Sequence, residues 1–402
     1  MPLLPPQTHA DARVLLTTRA VRGFADGLVS VAIAVLLPLL GFSTVQVGVT
    51  VTGMLLGSAA VTFLVGTRGN AIPRRTLLFA GAAVMIGSGL AFGAFTQFAV
   101  LLVVGVVGTL NPTSGDVSMF LPLEQSLLAA TTPARSRTAL YARYAFAGGL
   151  AGALGSQAIA IPEAIATHTS ISQSTALRAC FVLYSMAGVA VWLLYRSLTQ
   201  ETEAGLGTAT PLGPSRAIVY RLAALFALDS FGGGFVVQSL LVLWLFQRFD
   251  LSVSAAGTVL LVTGICSAAS GFVAAWLAER IGLVCTMVFT HLPANCFLIA
   301  AAFMPSMPMA LTMLVLRSLL SQMDVPARTS YVMAVVSPPE RAAAASVTNV
   351  PRSLAGALSP TLAGLMLQNS SFGWPLIVAG ACKIVYDLLL LVGFRHHQPT
   401  EA

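Results

Sequence analysis

The chain is 402 residues long, 56% hydrophobic and only 9% charged, with a mean hydropathy of +0.86. Soluble proteins carry roughly 25% charged residues, so this composition excludes an ordinary soluble enzyme or binding domain and predicts a membrane protein. The 21 basic and 14 acidic residues lie mostly between long apolar runs. Membrane topology and contact with anionic lipid therefore explain the net charge of +7, and the charge gives no indication of nucleic-acid binding.

Twelve apolar runs are long enough to cross a bilayer as helices. About 20 apolar residues span the hydrocarbon core, and a helix satisfies its own backbone hydrogen bonds there. In chain order, the predicted segments 1 to 12 cover residues 17–40, 45–66, 75–96, 98–128, 138–161, 177–195, 217–246, 253–278, 282–304, 308–336, 342–368 and 373–394. The first has no small-residue cleavage site after it and is interpreted as a retained anchor. We predict an all-α membrane protein of twelve transmembrane helices.

The distribution of arginine predicts the orientation, because Lys and Arg accumulate in short cytoplasmic loops. With the N-terminus inside, most loop arginines face the cytoplasm, whereas Arg178 and Arg248 lie outside. An even number of crossings then returns the C-terminus to the cytoplasm. We therefore expect a multi-pass protein of the inner or plasma membrane with both termini cytoplasmic.

A polar stretch at the middle of the chain separates two similar halves. Residues 197–215 read SLTQETEAGLGTATPLGPS, a composition typical of a flexible linker. Both halves contain the sequence AGAL, at Ala151–Leu154 and Ala355–Leu358, and Asp26 in segment 1 answers Asp229 in segment 7. These repeats predict an N-terminal six-helix bundle at 1–196, a cytoplasmic linker at 197–216 and a C-terminal six-helix bundle at 217–402.

Two arginine-bearing stretches follow segments 2 and 8. Gly66–Arg75 reads GTRGNAIPRR and Ala275–Val284 reads AWLAERIGLV. With the twelve segments and the central linker, they make the chain resemble the major facilitator superfamily, which carries a G-x-x-x-D-R-x-G-R-R-like loop after helix 2 and a weaker copy after helix 8. The resemblance implies two pseudo-symmetric six-helix bundles that rock around a mid-membrane site lined by helices 1, 4, 7 and 10.

The same resemblance implies a gating role for the loop residues Asn70, Arg74, Arg75, Glu279 and Arg280. In the family, the loop acid caps a helix N-terminus, where the helix dipole favours negative charge. We therefore expect Glu279 to approach the start of segment 5, and Asn70 to form a weaker, uncharged latch. The alternative is that these are ordinary positive-inside loop residues.

Polar and ionisable side chains inside the predicted segments are the candidates for substrate or proton binding, because each charge costs about 2.5 to 3.5 kcal/mol in the membrane on insertion scales. Proton and substrate can compete for a buried carboxylate. The alternative is structural pairing one helical turn apart, as the spacing of Arg22 with Asp26 and of Asp324 with Arg328 allows. The candidates are Asp26, Asn111, Asp116, Glu124, Gln125, Asp229, Arg317, Gln322, Asp324, Arg328 and Arg352.

Arg317 and Arg352 have two interpretations. The planar guanidinium suits a carboxylate or phosphate, so they can bind an anionic substrate, or either can neutralise Asp324. On segment 12, Lys383 and Asp387 are spaced i, i+4 and are predicted to pair with each other.

Proline and glycine predict where helices break. Pro112 and Gly115 in segment 4 and Pro326 in segment 10 indicate interrupted helices that line a cavity. Gly232–Gly234 indicates a bend in segment 7, and the polar run around His291 in segment 9 is interpreted as a kink with a satisfied histidine.

These features predict a monomeric secondary transporter that moves a small molecule by alternating access, with H+ as the coupling ion and no cofactor or metal. The sequence has no G-x-x-x-x-G-K-[ST] motif, so a gradient rather than ATP must drive it. Export is the favoured direction, and uptake of an organic anion or metabolite is the alternative. A membrane enzyme would need a motif such as HExxH or GxSxG, which is missing, and a non-transporting sensor would be expected to carry a soluble output domain.

Overall fold

A computed structural model describes residues 9–68, 72–113, 118–131, 137–199, 212–337 and 340–395. The regular secondary structure of these residues consists of sixteen α-helices. Nine helical stretches in this described part are long and apolar enough to cross a membrane. The all-α fold class predicted from the sequence is therefore confirmed.

The first eight helices cover the N-terminal half. They are α1 (Asp11–Leu39), α2 (Thr44–Arg68), α3 (Arg74–Ala94), α4 (Phe98–Val107), α5 (Phe120–Ala130), α6 (Arg137–Gln157), α7 (Ala160–His168) and α8 (Gln173–Arg196). The other eight are α9 (Arg216–Gly234), α10 (Gln238–Phe249), α11 (Val253–Ile281), α12 (Leu283–Phe303), α13 (Met307–Ser318), α14 (Asp324–Ala334), α15 (Arg341–Asn369) and α16 (Trp374–Phe394). They correspond to the twelve predicted segments, with segments 4, 5, 7 and 10 each divided in two.

Proline and glycine explain where the four segments divide. Pro122, Pro162 and Pro326 are each the third residue of a second piece, α5, α7 or α14. A proline in the first helical turn is tolerated because its missing N–H would have no partner within the helix there. Segment 7 divides differently, since α9 ends in the triplet Gly232–Gly234. The division of segment 5 was not predicted, and α7 extends to His168, beyond the predicted end of that segment.

The chain divides into two compact units. Unit 1 comprises Met1–Leu206 with Ser252–Leu261, and unit 2 comprises Gly207–Leu251 with Val262–Ala402. Within unit 1, Glu163 on α7 accepts hydrogen bonds from the backbone N–H groups of Val253 and Ser254, at 3.1 and 2.6 Å. A carboxylate at this position offsets the partial positive charge at the N-terminus of α11 and so ties the start of that helix to unit 1.

Small residues bring one helix pair close together in each unit. In unit 1, a Cβ added to Gly27 on α1 would overlap the carbonyl of Gly152 on α6. In unit 2, a Cβ added to Gly234 on α9 would overlap the carbonyl of Gly356 on α15. Gly152 and Gly356 are the glycines of the two AGAL sequences, so the repeated sequence serves the same close packing in both halves.

Candidate functional site

A buried glutamate on α5 is surrounded by donors from three other helices in unit 1. Its carboxylate accepts from Arg22 at 2.5 Å and from Thr18 at 2.7 Å, both on α1. The hydroxyl groups of Tyr144 on α6 and Tyr195 on α8 each donate to it at 2.5 Å. This glutamate, Glu124, is 0% exposed, and the five residues together form what we call the N-terminal cage. Complete hydrogen bonding is what makes a buried charge tolerable.

Arg22 is held mainly through this cage. Its guanidinium lies 4.3 Å from the ring centroid of Phe120 and 3.4 Å from the hydroxyl of Ser118. The sequence predicted a structural pair with Asp26, but the ion pair described for Arg22 is with Glu124. A glutamate reaches Arg22 from α5 because helix packing, rather than sequence spacing, sets this distance. Asp26 is itself buried on α1.

The other N-terminal candidates lie near the break in segment 4. Asn111 is buried, and its side-chain oxygen accepts from the backbone N–H of Thr113 at 3.0 Å and from its hydroxyl at 2.8 Å. This pattern is an Asx-type turn, in which the side chain mimics a backbone turn. Gln125 is half-buried on α5, and its backbone carbonyl accepts a hydrogen bond from the hydroxyl of Tyr141. Asp116 lies outside the described residues.

A second buried cluster of charges lies in unit 2 around Asp229 on α9. Its Oδ1 accepts from Lys383 on α16 at 2.6 Å, and its Oδ2 accepts from Arg328 on α14 at 3.0 Å. Arg328 also pairs with Asp324 at 3.2 Å, which confirms the pair predicted one helical turn apart. We call the following residues the C-terminal cluster: Asp229, His291, Asn295, Asp324, Arg328, Lys383 and Asp387.

The predicted pairing of Lys383 with Asp387 is wrong, because each side chain contacts a different helix. Lys383 contacts Asp229, and Asp387 contacts the Nδ1 atom of His291 on α12 at 2.9 Å. Asn295, one turn along α12, donates to the other oxygen of Asp387 at 3.1 Å. The histidine has a hydrogen-bonded partner, as predicted, but it belongs to the charged cluster, and its Nε2 lies 3.8 Å from Asp229.

Two arginines border the C-terminal cluster. Arg317 on α13 and Arg352 on α15 both interact electrostatically with Asp229. The Nε atom of each is buried and has no hydrogen-bond partner among the described residues. Neither forms a direct ion pair with Asp324 in this part of the chain, where the carboxylate is held by Arg328. Gln322, in the turn between α13 and α14, is exposed.

The first arginine loop is described only in part. Arg75 donates to the carbonyl of Arg196 at 2.8 Å, and its guanidinium lies 5.7 Å from the ring centroid of Phe79. Arg74 is half-buried at the start of α3, and Asn70 lies outside the described residues. These contacts attach the start of α3 to the end of α8 within unit 1.

In the second arginine-bearing stretch, Glu279 and Arg280 lie in the last turn of α11 rather than in the predicted loop, and both are exposed. The guanidinium of Arg280 lies over the ring of Trp276, 4.2 Å from its centroid. The gating role of both loops stays a prediction.

The constant spacing between equivalent residues of the two halves could have indicated that Glu124 and Arg328 occupy matching positions. Glu124 and Arg328 are 204 residues apart, the same offset that separates the two AGAL sequences. Segments 1 and 4 contribute Arg22 and Glu124, and the equivalent segments 7 and 10 contribute Asp229 and Arg328. The two halves therefore carry ion pairs at equivalent helices with the signs reversed.

Sequence reasoning missed several members of the clusters that lie on segments 5, 6, 9 and 12 or are uncharged. In the N-terminal cage they are Thr18, Tyr144 and Tyr195, and in the C-terminal cluster they are His291, Asn295, Lys383 and Asp387. Hydroxyl groups gave no signal because tyrosine and threonine are common in membrane helices. Lys383 and Asp387 did give a signal, but their spacing suggested the wrong partners.

Comparisons with known proteins identify the family of this chain. The profile of the Major Facilitator Superfamily matches residues 15–316 and 222–402. The chain is 22% identical over 420 residues to the uncharacterized membrane protein YJR124C of Saccharomyces cerevisiae, a match that covers 96% of this chain and 94% of that protein.

Solved structures of low sequence identity share the fold. The xylose transporter XylE from E. coli superposes with a TM-score of 0.74 at 14% identity, covering 98% of this chain and 99% of that chain. A bacterial homolog of the human lysosomal transporter Spinster gives a TM-score of 0.67 at 18% identity and covers 95% of each chain. The nucleoside transporter NupG gives a TM-score of 0.68 at 10% identity, with coverage of 95% and 99%.

The described helices form a multi-pass membrane protein with charged clusters buried inside each unit. The chain belongs to the Major Facilitator Superfamily. It is therefore a secondary transporter of a small molecule rather than an enzyme.

Proposed function

We propose that this protein is a proton-coupled transporter whose substrate is a small organic anion. The observation that carries the proposal is the charge balance around Asp229. Arg317, Arg328, Arg352 and Lys383 supply four positive charges, and three carboxylates accompany them in the described residues of this region. An excess of buried positive charge is costly, and a substrate carboxylate or phosphate would compensate it.

Arg317 and Arg352 are the side chains that we propose bind the anion. Each keeps a buried Nε–H group without a hydrogen-bond acceptor in the described part of the chain. Such a donor costs free energy unless an acceptor arrives, and guanidinium groups bind carboxylate and phosphate through two parallel hydrogen bonds. Asp324 and Arg328 hold each other, and Asp229 is held by Lys383 and Arg328, so the two bordering arginines are better suited to the substrate.

We propose that the direction is uptake, and the charge of the substrate then supports coupling to protons. The inside-negative membrane potential opposes entry of an anion by about 2.3 kcal/mol per charge for each 100 mV. A proton that enters with the substrate cancels one negative charge and removes this cost. A structural neighbour at 14% identity and a TM-score of 0.72 is a D-xylose–proton symporter, which is consistent with proton coupling in this fold.

The remaining expectations complete the proposal. We propose that the protein works as a monomer in the inner or plasma membrane, with both termini in the cytoplasm. Its bundles at 1–196 and 217–402 rock about the linker at 197–216, and the loop residues Arg74, Arg75, Glu279 and Arg280 control closure. The N-terminal cage supports the bundle structurally, because every oxygen of Glu124 already accepts a hydrogen bond.

Transport into reconstituted vesicles tests the proposal. The purified protein is placed in proteoliposomes with an imposed pH gradient, and labelled monocarboxylates, dicarboxylates, phosphate esters, neutral sugars and lipophilic cations are compared. We expect accumulation of at least one anion class when the outside is acidic. Transport of only neutral or cationic compounds would overturn the substrate class, and accumulation that is indifferent to the pH gradient would overturn proton coupling.

Arginine variants test the binding site. Arg317→Gln and Arg352→Gln are expected to raise the KM for the anion strongly, and Arg317→Lys to recover only part of the loss because it lacks the planar fork. Arg248→Gln is the matched control, since Arg248 lies at the end of α10 against the ring of Phe249. Unchanged anion kinetics in both Arg317→Gln and Arg352→Gln would contradict this assignment.

A further inference from the structure

His291 lies between two carboxylates from different helices. It is 3% exposed on α12, its Nδ1 is 2.9 Å from Oδ1 of Asp387, and its Nε2 is 3.8 Å from Oδ1 of Asp229. The first distance is a hydrogen bond, whereas the second is longer than any hydrogen bond. Nδ1 is therefore hydrogen-bonded to a carboxylate, whereas Nε2 lies near a second carboxylate without a hydrogen bond to it.

The protonation state of the ring explains this asymmetry. A neutral imidazole has one N–H, and an ionised Asp387 can only accept. We therefore assign the proton of the neutral ring to Nδ1, which also lies 3.2 Å from the amide nitrogen of Asn295. Nε2 then carries a lone pair that faces Oδ1 of Asp229, and two lone pairs repel each other. Asn295 supports the arrangement because its amide donates to the second oxygen of Asp387.

The oxygen that Nε2 faces is already occupied by Lys383. The Nζ atom of Lys383 donates to Oδ1 of Asp229 at 2.6 Å, and this is the same oxygen that lies 3.8 Å from His291. A proton on Nε2 would supply a donor there and convert the repulsion into an ion pair. Imidazolium and ammonium groups would then both lie against one oxygen atom, and these like charges repel each other.

The wider surroundings of His291 contain charges of both signs. On α16 they are Lys383, Tyr386 and Asp387, on α9 Asp229, on α14 Asp324 and Arg328, on α13 Arg317 and on α15 Arg352. The carboxylates nearest to the ring, Asp229 and Asp387, contact it directly, whereas Arg328 is turned to Asp229 and Asp324. The charged groups in direct contact with the ring are therefore two carboxylates.

We propose that His291 binds the coupling proton and that its protonation transfers Oδ1 of Asp229 from Lys383 to His291. A proton from water adds to Nε2, the Nζ–H to Oδ1 hydrogen bond breaks, and an Nε2–H to Oδ1 hydrogen bond forms. Lys383 keeps its charge and is released for another anion. This last step rests on the proposed function, because it supplies a third cation, beside Arg317 and Arg352, to the incoming anionic substrate.

The ammonium group of Lys383 lies at the end of α9. A Cβ on Gly233 would lie 3.7 Å from its Nζ, so the ammonium group rests against the glycines that end α9. Segment 7 is divided at this point, between α9 and α10. Departure of the ammonium group from Asp229 therefore removes a tie between α16 and the end of α9, which links proton binding to the place where segment 7 can bend.

Ring NMR of selectively ¹⁵N-labelled histidine in lipid nanodiscs tests the proton site without any substrate. The signal lost in His291→Gln identifies the residue. We expect a neutral ring protonated on Nδ1 at high pH that becomes doubly protonated as the pH is lowered. A ring protonated on Nε2 when neutral, or one that stays neutral at the lowest pH at which the protein remains folded, would overturn the proposal.

The Lys383→Gln variant tests the exchange of partners. Without the ammonium group, Asp229 attracts the His291 proton more strongly, so the titration midpoint of His291 is expected to move to higher pH. A midpoint that does not move would overturn the exchange. His168, which is exposed at the end of α7, supplies a control signal that should titrate alike in both proteins.

Vesicle assays connect the proton site to transport. His291→Gln is expected to exchange labelled for unlabelled anion but to lose accumulation driven by a pH gradient, whereas His168→Gln keeps both. Gradient-driven accumulation by His291→Gln would overturn the coupling role. If His291→Gln does not fold, the titration of the unaltered protein decides. A predicted titration without transport of any anion would refute the proposed substrate class while leaving the proton site in place.

Discussion

Arg22 and Glu124 are 102 residues apart in the sequence and form an ion pair of 2.5 Å inside unit 1. Their side chains are 2% and 0% exposed, and the carboxylate also accepts from Thr18, Tyr144 and Tyr195. Because the hydrogen-bonding capacity of Glu124 is used within its own unit, we interpret it as structural, although its sequence position made it a candidate for proton coupling.

Replacing Glu124 by Gln should destabilise the protein strongly. The change keeps the size of the side chain but removes the charge that Arg22 contacts, and breaking a buried ion pair from one side costs about 3 to 5 kcal/mol. The double variant Arg22→Met with Glu124→Leu should recover much of the loss. Thermal unfolding in detergent measures all three, with the exposed arginine of α1 as control in Arg13→Met. A Glu124→Gln protein that melts like the unaltered one would refute the structural role.

Removing a single hydroxyl from the N-terminal cage should have a graded effect. Tyr195→Phe removes a hydrogen bond to a carboxylate, which is worth about 1.5 to 3 kcal/mol. Tyr184→Phe, also on α8 and also buried, removes a hydrogen bond to the carbonyl of Thr109, worth about 0.5 to 1.5 kcal/mol. The melting temperature of Tyr195→Phe should be lower than that of Tyr184→Phe. The reverse order would contradict the hydrogen bonding described for the N-terminal cage.

Gly27 and Gly149 should respond in opposite ways to the same substitution. A Cβ at Gly27 overlaps the backbone of Gly152, so Gly27→Ala must push α1 and α6 apart. A Cβ at Gly149, also on α6, meets no atom of the described structure within 4 Å, so Gly149→Ala should be tolerated. The yield of folded protein after size-exclusion chromatography and its melting temperature distinguish the two. Equal behaviour of both variants would show that α1 and α6 do not pack as closely as described.

Asp229 should matter more to stability than Asp324. Asp229 accepts from both Lys383 and Arg328, whereas Asp324 contacts only Arg328 among the described residues. Asp229→Asn therefore removes the negative charge that two buried cations contact. It should lower the melting temperature more than Asp324→Asn. Asp250→Asn is the control, because Asp250 is exposed and its φ of 52° suits asparagine equally well.

Glu340 should make the local stability of the folded state fall at acidic pH. The hydroxyl of Ser215 and the backbone N–H of Gly213, which donates at 2.7 Å, lower the pKa of Glu340 below its ordinary value of 4.5. A lowered pKa stabilises the folded state above the ordinary value, and this contribution is lost as the pH falls through the lowered one. After correction for the intrinsic pH dependence of amide exchange, the protection of the Gly213 and Ser215 amides should therefore fall on acidification in the unaltered protein.

The Glu340→Gln variant isolates this effect. The corrected protection of the Gly213 and Ser215 amides should already be low at neutral pH in this variant and should change little on acidification. Glu279→Gln removes an exposed carboxylate instead and should behave like the unaltered protein. Retained acid dependence in Glu340→Gln would assign the effect to another group.

Much of the architecture follows from apolar run lengths and from proline and glycine. The predicted segments 11 and 12 end within two residues of α15 and α16, and the divisions of segments 4, 7 and 10 lie near the residues that suggested them. The extension of α1 back to Asp11 was missed because Asp11 and Arg13 made the stretch before residue 17 resemble a loop. Inside the segment, the buried Arg19 and Arg22 contact α5 and α6, which the local sequence cannot reveal.

The pairing of charges could be predicted only in part. The i, i+4 rule is correct for Asp324 and Arg328 but wrong for Lys383 and Asp387, although both pairs have the same spacing. The difference lies in the neighbouring helices. Asp229 and His291 approach α16 and offer stronger partners, and such contacts between distant segments depend on packing that spacing does not encode.

The N-terminal cage has a consequence for the order of biosynthesis. Its five members, from Thr18 to Tyr195, have all been synthesised before the first residue of α9 is added. The nascent chain can thus neutralise Arg22 and Glu124 while the second half is still untranslated. A first half expressed from its own gene should therefore insert with its deepest charges already matched, as a partner for a separately translated second half.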